Sequence, residues 1–275
     1  MADVPLVFLV TGCSSGIGRA TAKAAAAAGH RVFATARRVE SLADIGPGVE
    51  TLPLDVTDPD AIRRAVSEVV SRAGRIDVLV NNAGYGQMGT VEDIRIERWK
   101  AEFDVNVFGL IAVTQAVLPH MRARGSGRVI HMGSIAGRIA YPFGAAYCAS
   151  KFALEAISDA MRLEVERFGI RVVLIEPGPI HTRFGERVER EVEPLSHDEA
   201  SAYHSWYEKA HARFRRESRV GALPPEAVAK VVLRAATAPR PRARYLVTWP
   251  AKLFAFVKRF LPDALMDVGM RAKFR

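Results

Sequence analysis

The sequence predicts an α/β fold: a doubly wound parallel sheet with helices on both faces and a C-terminal helical extension. Three observations predict it. Short runs that are apolar on both faces alternate with longer segments of helical period along a chain of 275 residues, which is how buried parallel strands and their crossover helices read. A glycine-rich loop, Thr11-Gly12-Cys13-Ser14-Ser15-Gly16-Ile17-Gly18, lies between the first strand and the first helix. Several later strands run into loops of small polar residues or prolines, where open α/β sheets place their ligands.

Leu6-Val7-Phe8-Leu9-Val10 reads as a central strand, and an alanine-rich helix follows the glycine loop to about Ala28. Strand, glycine loop and helix in that order are the context that makes such a motif meaningful. Gly12 allows the tight turn, Gly16 lets the backbone approach a phosphate, and Gly18 allows close helix packing. The pyrophosphate of a dinucleotide would sit on the helix N-terminus, where free N–H groups and the dipole favour an anion. Arg31-Val32-Phe33-Ala34-Thr35-Ala36 is the second strand. It lacks the terminal acid that binds a ribose 2′-hydroxyl, and Arg37 and Arg38 follow it. Two guanidiniums suit a 2′-phosphate, so NADP(H) is expected in preference to NAD(H).

Residues 50–56 fit a third strand ending at Asp55, with Asp58 as N-cap and Pro59 in the first turn of the next helix. Residues 76–80 are a fourth strand, leading into Asn81-Asn82-Ala83-Gly84. A helix is expected over 96–121, with Asn106 inside it between apolar neighbours. A mid-helix Asn is unfavourable on propensity, so it should face solvent or have a buried task. Residues 127–132 are a fifth strand, followed by Gly133-Ser134, and His131 within it reads as a packed strand residue. Residues 171–175 are a sixth strand, ending in the stiff loop Glu176-Pro177-Gly178-Pro179-Ile180-His181-Thr182.

Between the fifth and sixth strands, residues 147–168 have the apolar spacing of a partly buried helix that opens with Tyr147-Cys148-Ala149-Ser150-Lys151. Tyr147 and Lys151 are four apart and share one helix face. An ammonium beside a phenol favours phenolate and lowers the tyrosine pKa from its ordinary value of ~10. A phenol so tuned can give or take a proton near neutral pH. Taken alone, Tyr-x-x-x-Lys is common on solvated helices, and it is the surrounding elements that lend it weight.

Composition sets the bounds. Apolar residues make up 49% and charged residues 25%, ordinary for a globular chain, and no linker or repeat divides it, so one domain over 1–275 is expected. No stretch of about 20 uninterrupted apolar residues predicts a membrane-spanning helix, and the N-terminus lacks the pattern of a secretion signal. Two cysteines do not suggest a disulfide framework, and a cytoplasmic location is expected. The net charge of +9 is concentrated at the end: residues 234–275 hold ten Lys/Arg against two Asp. A nucleic-acid partner would call for a more general basic surface, and none is expected.

These segments together resemble the short-chain dehydrogenase/reductase family. The resemblance rests on Thr11-Gly12-x-x-x-Gly16-Ile17-Gly18, Asn81-Asn82-Ala83-Gly84, Asn106, Ser134, Tyr147-x-x-x-Lys151 and Pro177-Gly178, in the family's order over residues 6 to about 184. It implies a Rossmann-type fold and an oxidoreductase. By that resemblance Tyr147 is the general acid in reduction and the base in oxidation. Lys151 lowers its pKa and binds the nicotinamide ribose, Ser134 polarises the substrate carbonyl, and Asn106 holds a water that links Lys151 to solvent. Ser14, Ser15 and Ile17 belong to the cofactor loop. Asp55 and Val56 contact the adenine, and Asn82, Ala83 and Gly84 flank the cofactor. Pro177, Gly178, Ile180 and Thr182 line the nicotinamide side. The resemblance further implies a homodimer or homotetramer, and its finer features resemble the hydroxysteroid and retinol dehydrogenase branch or bacterial lipid-ketone reductases.

Residues 183–219 form a charged stretch with Phe184, Tyr203, Trp206, Tyr207 and Phe214, expected as a substrate lid or as a plain amphipathic helix pair. His197, Asp198 and Glu199 lack metal-ligand spacing, and no metal is expected. The tail, 250–275, places Leu253, Phe254, Phe256, Val257, Phe260 and Leu261 beside Lys252, Lys258 and Arg259, with a further helix after Pro262. That mixture fits peripheral contact with anionic lipid, or a helix docked on the body or a partner subunit. The chain therefore reads as an NADP(H)-dependent oxidoreductase acting on the carbonyl or alcohol of a lipophilic small molecule. The other classes are a non-catalytic NADP(H) sensor and a membrane-associated scaffold. A sensor could lose Ser134, Tyr147 or Lys151, and all three are present.

Overall fold

The computed structural model describes residues 5–183, 188, 200–209 and 221–274. The expectations for Phe184, His197, Asp198, Glu199 and Phe214 lie outside the described residues. Seven strands form one parallel sheet: β1 Val7–Val10, β2 Arg31–Ala36, β3 Val49–Pro53, β4 Val78–Asn81, β5 Gly127–Met132, β6 Ile170–Glu176 and β7 Arg244–Leu246. Their order is β3-β2-β1-β4-β5-β6-β7. The winding reverses between β1 and β4, so their C-terminal ends diverge and open a crevice there.

Helices α1 Gly16–Ala27, α2 Pro59–Ala73, α3 Ile96–Phe103, α4 Leu110–Arg124, α5 Ala145–Val165 and α6 Pro225–Thr237 cover both faces. The strand alternation shows why. Val7 and Leu9 point into the core shared with α2, α4 and α5, whereas Phe8 and Val10 point into the core shared with α1 and α6. Burying each such side chain stabilises the fold by about 1.5–3 kcal/mol. Small residues let α1 and α6 approach closely: Ala22, Ala25, Ala229 and Ala235 are fully buried.

Several boundaries follow local chemistry. Asp58 caps α2 by accepting from the Asp60 N–H at 2.8 Å, with Pro59 in the first turn. Strand β3 ends at Pro53, short of the expected Asp55. After Leu54 donates to the Ala36 carbonyl at 2.9 Å, the Asp55 carboxylate accepts from the Thr57 N–H at 2.9 Å and its hydroxyl at 2.8 Å, which turns the chain away. The helix expected over 96–121 runs to Arg124, but a π-helical segment, Asp104–Gly109, interrupts it. Asn106 lies in that segment, and its side-chain bonds supply the reason for the break. By length and composition alone the run Ile96–Arg124 is long and apolar enough to cross a membrane, a test that the core helix of a globular fold also meets. Here its Val113, Val117 and Met121 are buried in the sheet core.

Helix α6 and strand β7 were not expected from the sequence. The tail forms α7 Trp249–Phe260 and α8 Asp263–Phe274. Thr248 caps α7 by accepting from the Ala251 N–H at 3.2 Å, and both residues are fully buried.

Candidate active site

The C-terminal ends of β1, β4, β5 and β6 bring the site together. At β1, Gly12 has φ +72°, and a Cβ there would come 2.7 Å from the Ala83 Cα, so the glycine loop and the Asn82-Ala83 turn touch through bare backbone. The Thr11 hydroxyl oxygen accepts from the Asn82 and Ala83 N–H groups, each at 3.0 Å. Asn82 Nδ2 donates to the Thr11 and Gly12 carbonyls, both at 3.0 Å. Gly18 lies directly under that amide. Asn82 is thus the clamp that ties the glycine loop to the end of β4.

At the start of α1, Ser15 makes no side-chain cap and no acid occupies the first turn. The first N–H groups of a helix have no intrahelical partner, so this end presents donors and a positive dipole to an anion. Gly16 faces Thr182, whose Cγ2 lies 3.2 Å from where a Cβ would be, which places the loop after β6 beside the same helix end. Arg37 and Arg38 are exposed at the end of β2, and among the described residues neither makes an ion pair. An anion cradle and a backbone too tight for side chains fit a dinucleotide, with two guanidiniums exposed at the end of β2. Asp55 is half-buried and Val56 buried beyond β3.

The chemistry sits one crossover further on. Ser134 follows β5, and its hydroxyl oxygen accepts from the Ala136 N–H at 3.1 Å. The Ser134 side chain also hydrogen-bonds to the Tyr147 phenol. On α5, the Lys151 ammonium lies 5.6 Å from the centre of the Tyr147 ring and donates to the Met132 carbonyl at 2.9 Å. Burial pulls the Lys151 pKa down to about 8, with the Glu102 carboxylate acting upward.

The expected acidic phenol is not what the free chain holds. Burial pushes the Tyr147 pKa well above its ordinary value, opposed by the Ser134 hydrogen bond. The nearby negative charge of Glu102 adds to the rise. Loss of hydration is the dominant cause, and Tyr147 rests protonated.

Asn106 has the buried task that its position required. Its Oδ1 accepts from the Tyr85 N–H at 3.0 Å. Its Nδ2 faces the Tyr85 carbonyl at 2.7 Å, the Ser150 hydroxyl at 3.1 Å and Glu102 Oε1 at 3.2 Å. Asn106 has no direct bond to Lys151 here. It joins α3, α5 and the loop after Gly84, whose backbone lies against its Oδ1. His131 is a packed strand residue: burial first, then Lys151, lower its pKa to about 3. Its neutral ring faces Asn81 Nδ2 through Nδ1 at 3.2 Å.

Sequence reasoning missed Glu102 and the acids behind β6. Glu102 is fully buried one turn before Asn106, and that spacing was the available signal. Glu176, also fully buried, is held by Arg138 in a two-pronged ion pair immediately before Pro177. Glu155 and Asp159 on α5 hold Arg244 of β7 at 2.9 and 2.6 Å. Around the phenol, Met88, Phe143 and Tyr207 are buried together with Tyr141, Tyr203 and Trp206 packed on them. Phe143 is a non-glycine residue at φ +65°, a conformation that costs about 1–2 kcal/mol. Rings of Trp206 and Tyr207 hold it at 4.7 and 4.9 Å. The described part of the stretch expected as a lid therefore covers the approach to Tyr147 with aromatic side chains.

Residues 6–193 match the short chain dehydrogenase family. The chain is 39% identical over 270 residues to human 17-beta-hydroxysteroid dehydrogenase type 1, covering 93% of this chain and 79% of that protein. It is 36% identical to 3-ketodihydrosphingosine reductase of Bacteroides thetaiotaomicron, covering 97% of each. A solved short-chain dehydrogenase from Streptomyces avermitilis superposes with a TM-score of 0.78 at 33% identity, over 97% of this chain and 95% of that one. Other solved neighbours carry NADP or NAD.

Proposed function

The chain belongs to the short-chain dehydrogenase family, and on that premise we propose that it is an NADP(H)-dependent oxidoreductase interconverting a lipophilic ketone or aldehyde and its alcohol. The observation that carries this reading is the meeting of Ser134, Tyr147 and Lys151 beside the glycine-loop crevice. The dinucleotide would lie on the α1 N-terminus and against Asn82 and Thr182, with Arg37 and Arg38 at its 2′-phosphate, and when bound it supplies the hydride. NADP- and NAD-bound relatives both exist, so the preference rests on this chain's two arginines and the absent acid.

The protein's own part is position, charge and one proton. The Ser134 hydroxyl polarises the substrate carbonyl. Tyr147 Oη gives its proton to the carbonyl oxygen, and a phenol kept protonated by burial is in the right state for that step. Lys151, with a pKa of about 8, is cationic at neutral pH and stabilises the phenolate left behind. In the reverse direction the phenolate takes the alcohol proton. Asn106 holds the backbone of Tyr85 against Ser150, which keeps the inner wall of the cleft in register.

The aromatic cluster of Phe143, Trp206 and Tyr207 supports an apolar substrate, as do the steroid and sphingoid-base names of two relatives. Free, buried Cys13 and Cys148 support a cytoplasmic location. Exposed Phe108, Phe152 and Leu163 on the α4 and α5 side support a homodimer or homotetramer. A non-catalytic sensor on this fold would have no need of all three catalytic side chains. The test is a panel of steroids, retinal and aliphatic or aryl ketones with both cofactors, followed at the nicotinamide absorbance band. Tyr147→Phe should cost roughly 10²–10⁴-fold in turnover while still binding NADPH. Normal turnover by that variant would overturn the reading.

A further inference from the structure

The part of the fold that the reaction leaves unexplained is α7. Its inward side is anchored: Ala251 is fully buried, and Thr248 and Ala251 pack against Gly178 in the loop after β6. Its outward side should then be polar, and it is not. Trp249, Leu253, Phe256 and Phe260 are spaced by four, three and four residues, so they form one stripe, and they are 61%, 48%, 64% and 65% exposed. The Phe256 and Phe260 rings lie 4.9 Å apart, which makes the stripe continuous. Lys252 and Arg259 are exposed along one border of it, and residues 249–262 contain no acid. Helix α8 repeats the pattern, with Leu265 and Val268 55% and 61% exposed.

We propose that α7 and α8 seat the protein on an anionic lipid surface, with the stripe dipping into the interface and the flanking cations on the headgroups. Exposed apolar surface of this size needs a cover. Charge decides which cover. Over α7 and α8 the sequence carries Lys252, Lys258, Arg259, Arg271 and Lys273 against Asp263 and Asp267, so a second copy pairing stripe to stripe would bring cations against cations, whereas an anionic surface attracts them. Aromatic and aliphatic residues beside Lys and Arg on one helix are the composition of an in-plane interfacial helix. The anchor at Gly178 places this surface next to the candidate cleft, so a membrane-dissolved substrate would reach the site without crossing bulk water. The proposal stands on the tail alone and does not depend on the reaction assigned above.

The experiment is flotation of the full chain with vesicles of phosphatidylcholine alone and of phosphatidylcholine with phosphatidylglycerol, at low and high salt. Binding should require the anionic lipid and weaken in salt. Trp249 should shift its fluorescence to the blue on binding, and the shift should disappear in Trp249→Phe. Lys252→Ser and Arg259→Ser should each reduce partitioning about fivefold at low salt. Phe256→Glu with Phe260→Glu should abolish it, with unchanged circular dichroism and unchanged dinucleotide affinity. Absence of wild-type binding to anionic vesicles would overturn the proposal. So would undiminished binding by the double variant, or a loss of oligomer size in that variant on a sizing column, which would assign the stripe to a second copy.

Discussion

Gly18→Ala tests the geometry that holds the nucleotide end of the site together. A Cβ at position 18 would lie 2.5 Å from the Gly12 carbonyl oxygen and closer still to Asn82 Nδ2. Neither can yield cheaply, because Asn82 Nδ2 spans the Thr11 and Gly12 carbonyls at 3.0 Å each. The added methyl must push the amide aside. Overpacking costs about 1–3 kcal/mol, and two lost neutral hydrogen bonds cost about 0.5–1.5 kcal/mol each. A destabilisation of about 3 kcal/mol follows, which lowers Tm by roughly 6–12 °C for a chain near this size. Because the displaced amide also frees the Asn82-Ala83 turn, NADPH affinity should fall about tenfold or more, which corresponds to 1.4 kcal/mol. Calorimetric unfolding and titration calorimetry with NADPH measure the two effects. Gly269→Ala, inside α8 where an added Cβ meets nothing within 4 Å, is the control and should lower neither, since alanine favours a helix over glycine. If Gly18→Ala kept the wild-type Tm and affinity, Asn82 would not be the clamp described above.

Three further outcomes follow from the charges. Arg37→Asp should move cofactor selectivity toward NAD by about tenfold or more, since it removes a cation from the 2′-phosphate and supplies the missing acid for a 2′-hydroxyl; unchanged selectivity in initial-rate assays would refute the cofactor assignment. Glu102→Gln removes the charge that raises the Lys151 pKa, so the lysine should titrate lower, seen directly by nitrogen NMR of the free chain. The alkaline limb of the reduction rate should move to lower pH with it, and a static limb would show that Glu102 only fills space. Glu155 has its pKa raised to about 7, first by burial and then by its hydrogen bond to Glu176. A raised carboxyl binds its proton more tightly in the folded state, so stability is lost as pH rises from about 4.5 to about 7. Glu155→Gln should flatten that window in denaturant titrations at several pH values, and an unchanged slope would remove the acid pair as its cause.

What could be read from residues alone was what depends on local pattern. Buried parallel strands announce themselves as apolar runs, and the glycine loop and Asn82 motif depend on spacing along the chain, so six of the seven strands and the two loops that meet at Asn82 were legible. Strand β7 has only three half-buried residues, Arg244, Tyr245 and Leu246, and it exists because Arg244 reaches Glu155 and Asp159 across the chain; no local signal encodes that partner. The π segment was hinted at by an Asn among apolar residues, but its cause is a set of partners at Tyr85 and Ser150, remote in sequence. The Tyr147 expectation failed for a related reason. The i, i+4 spacing places the ammonium correctly, at 5.6 Å from the ring, yet spacing carries no information about hydration, and hydration sets the larger effect. A cation near a phenol lowers its pKa only to the extent that water does not do better for the phenolate, and here α5 has been drawn under Phe143 and Trp206, where water is scarce. The same burial that keeps Tyr147 protonated depresses Lys151, so the two residues are tuned by one cause in opposite senses: an acid that holds its proton and a base close to losing its own. That divergence arises from where the helix is packed and not from the two residue types.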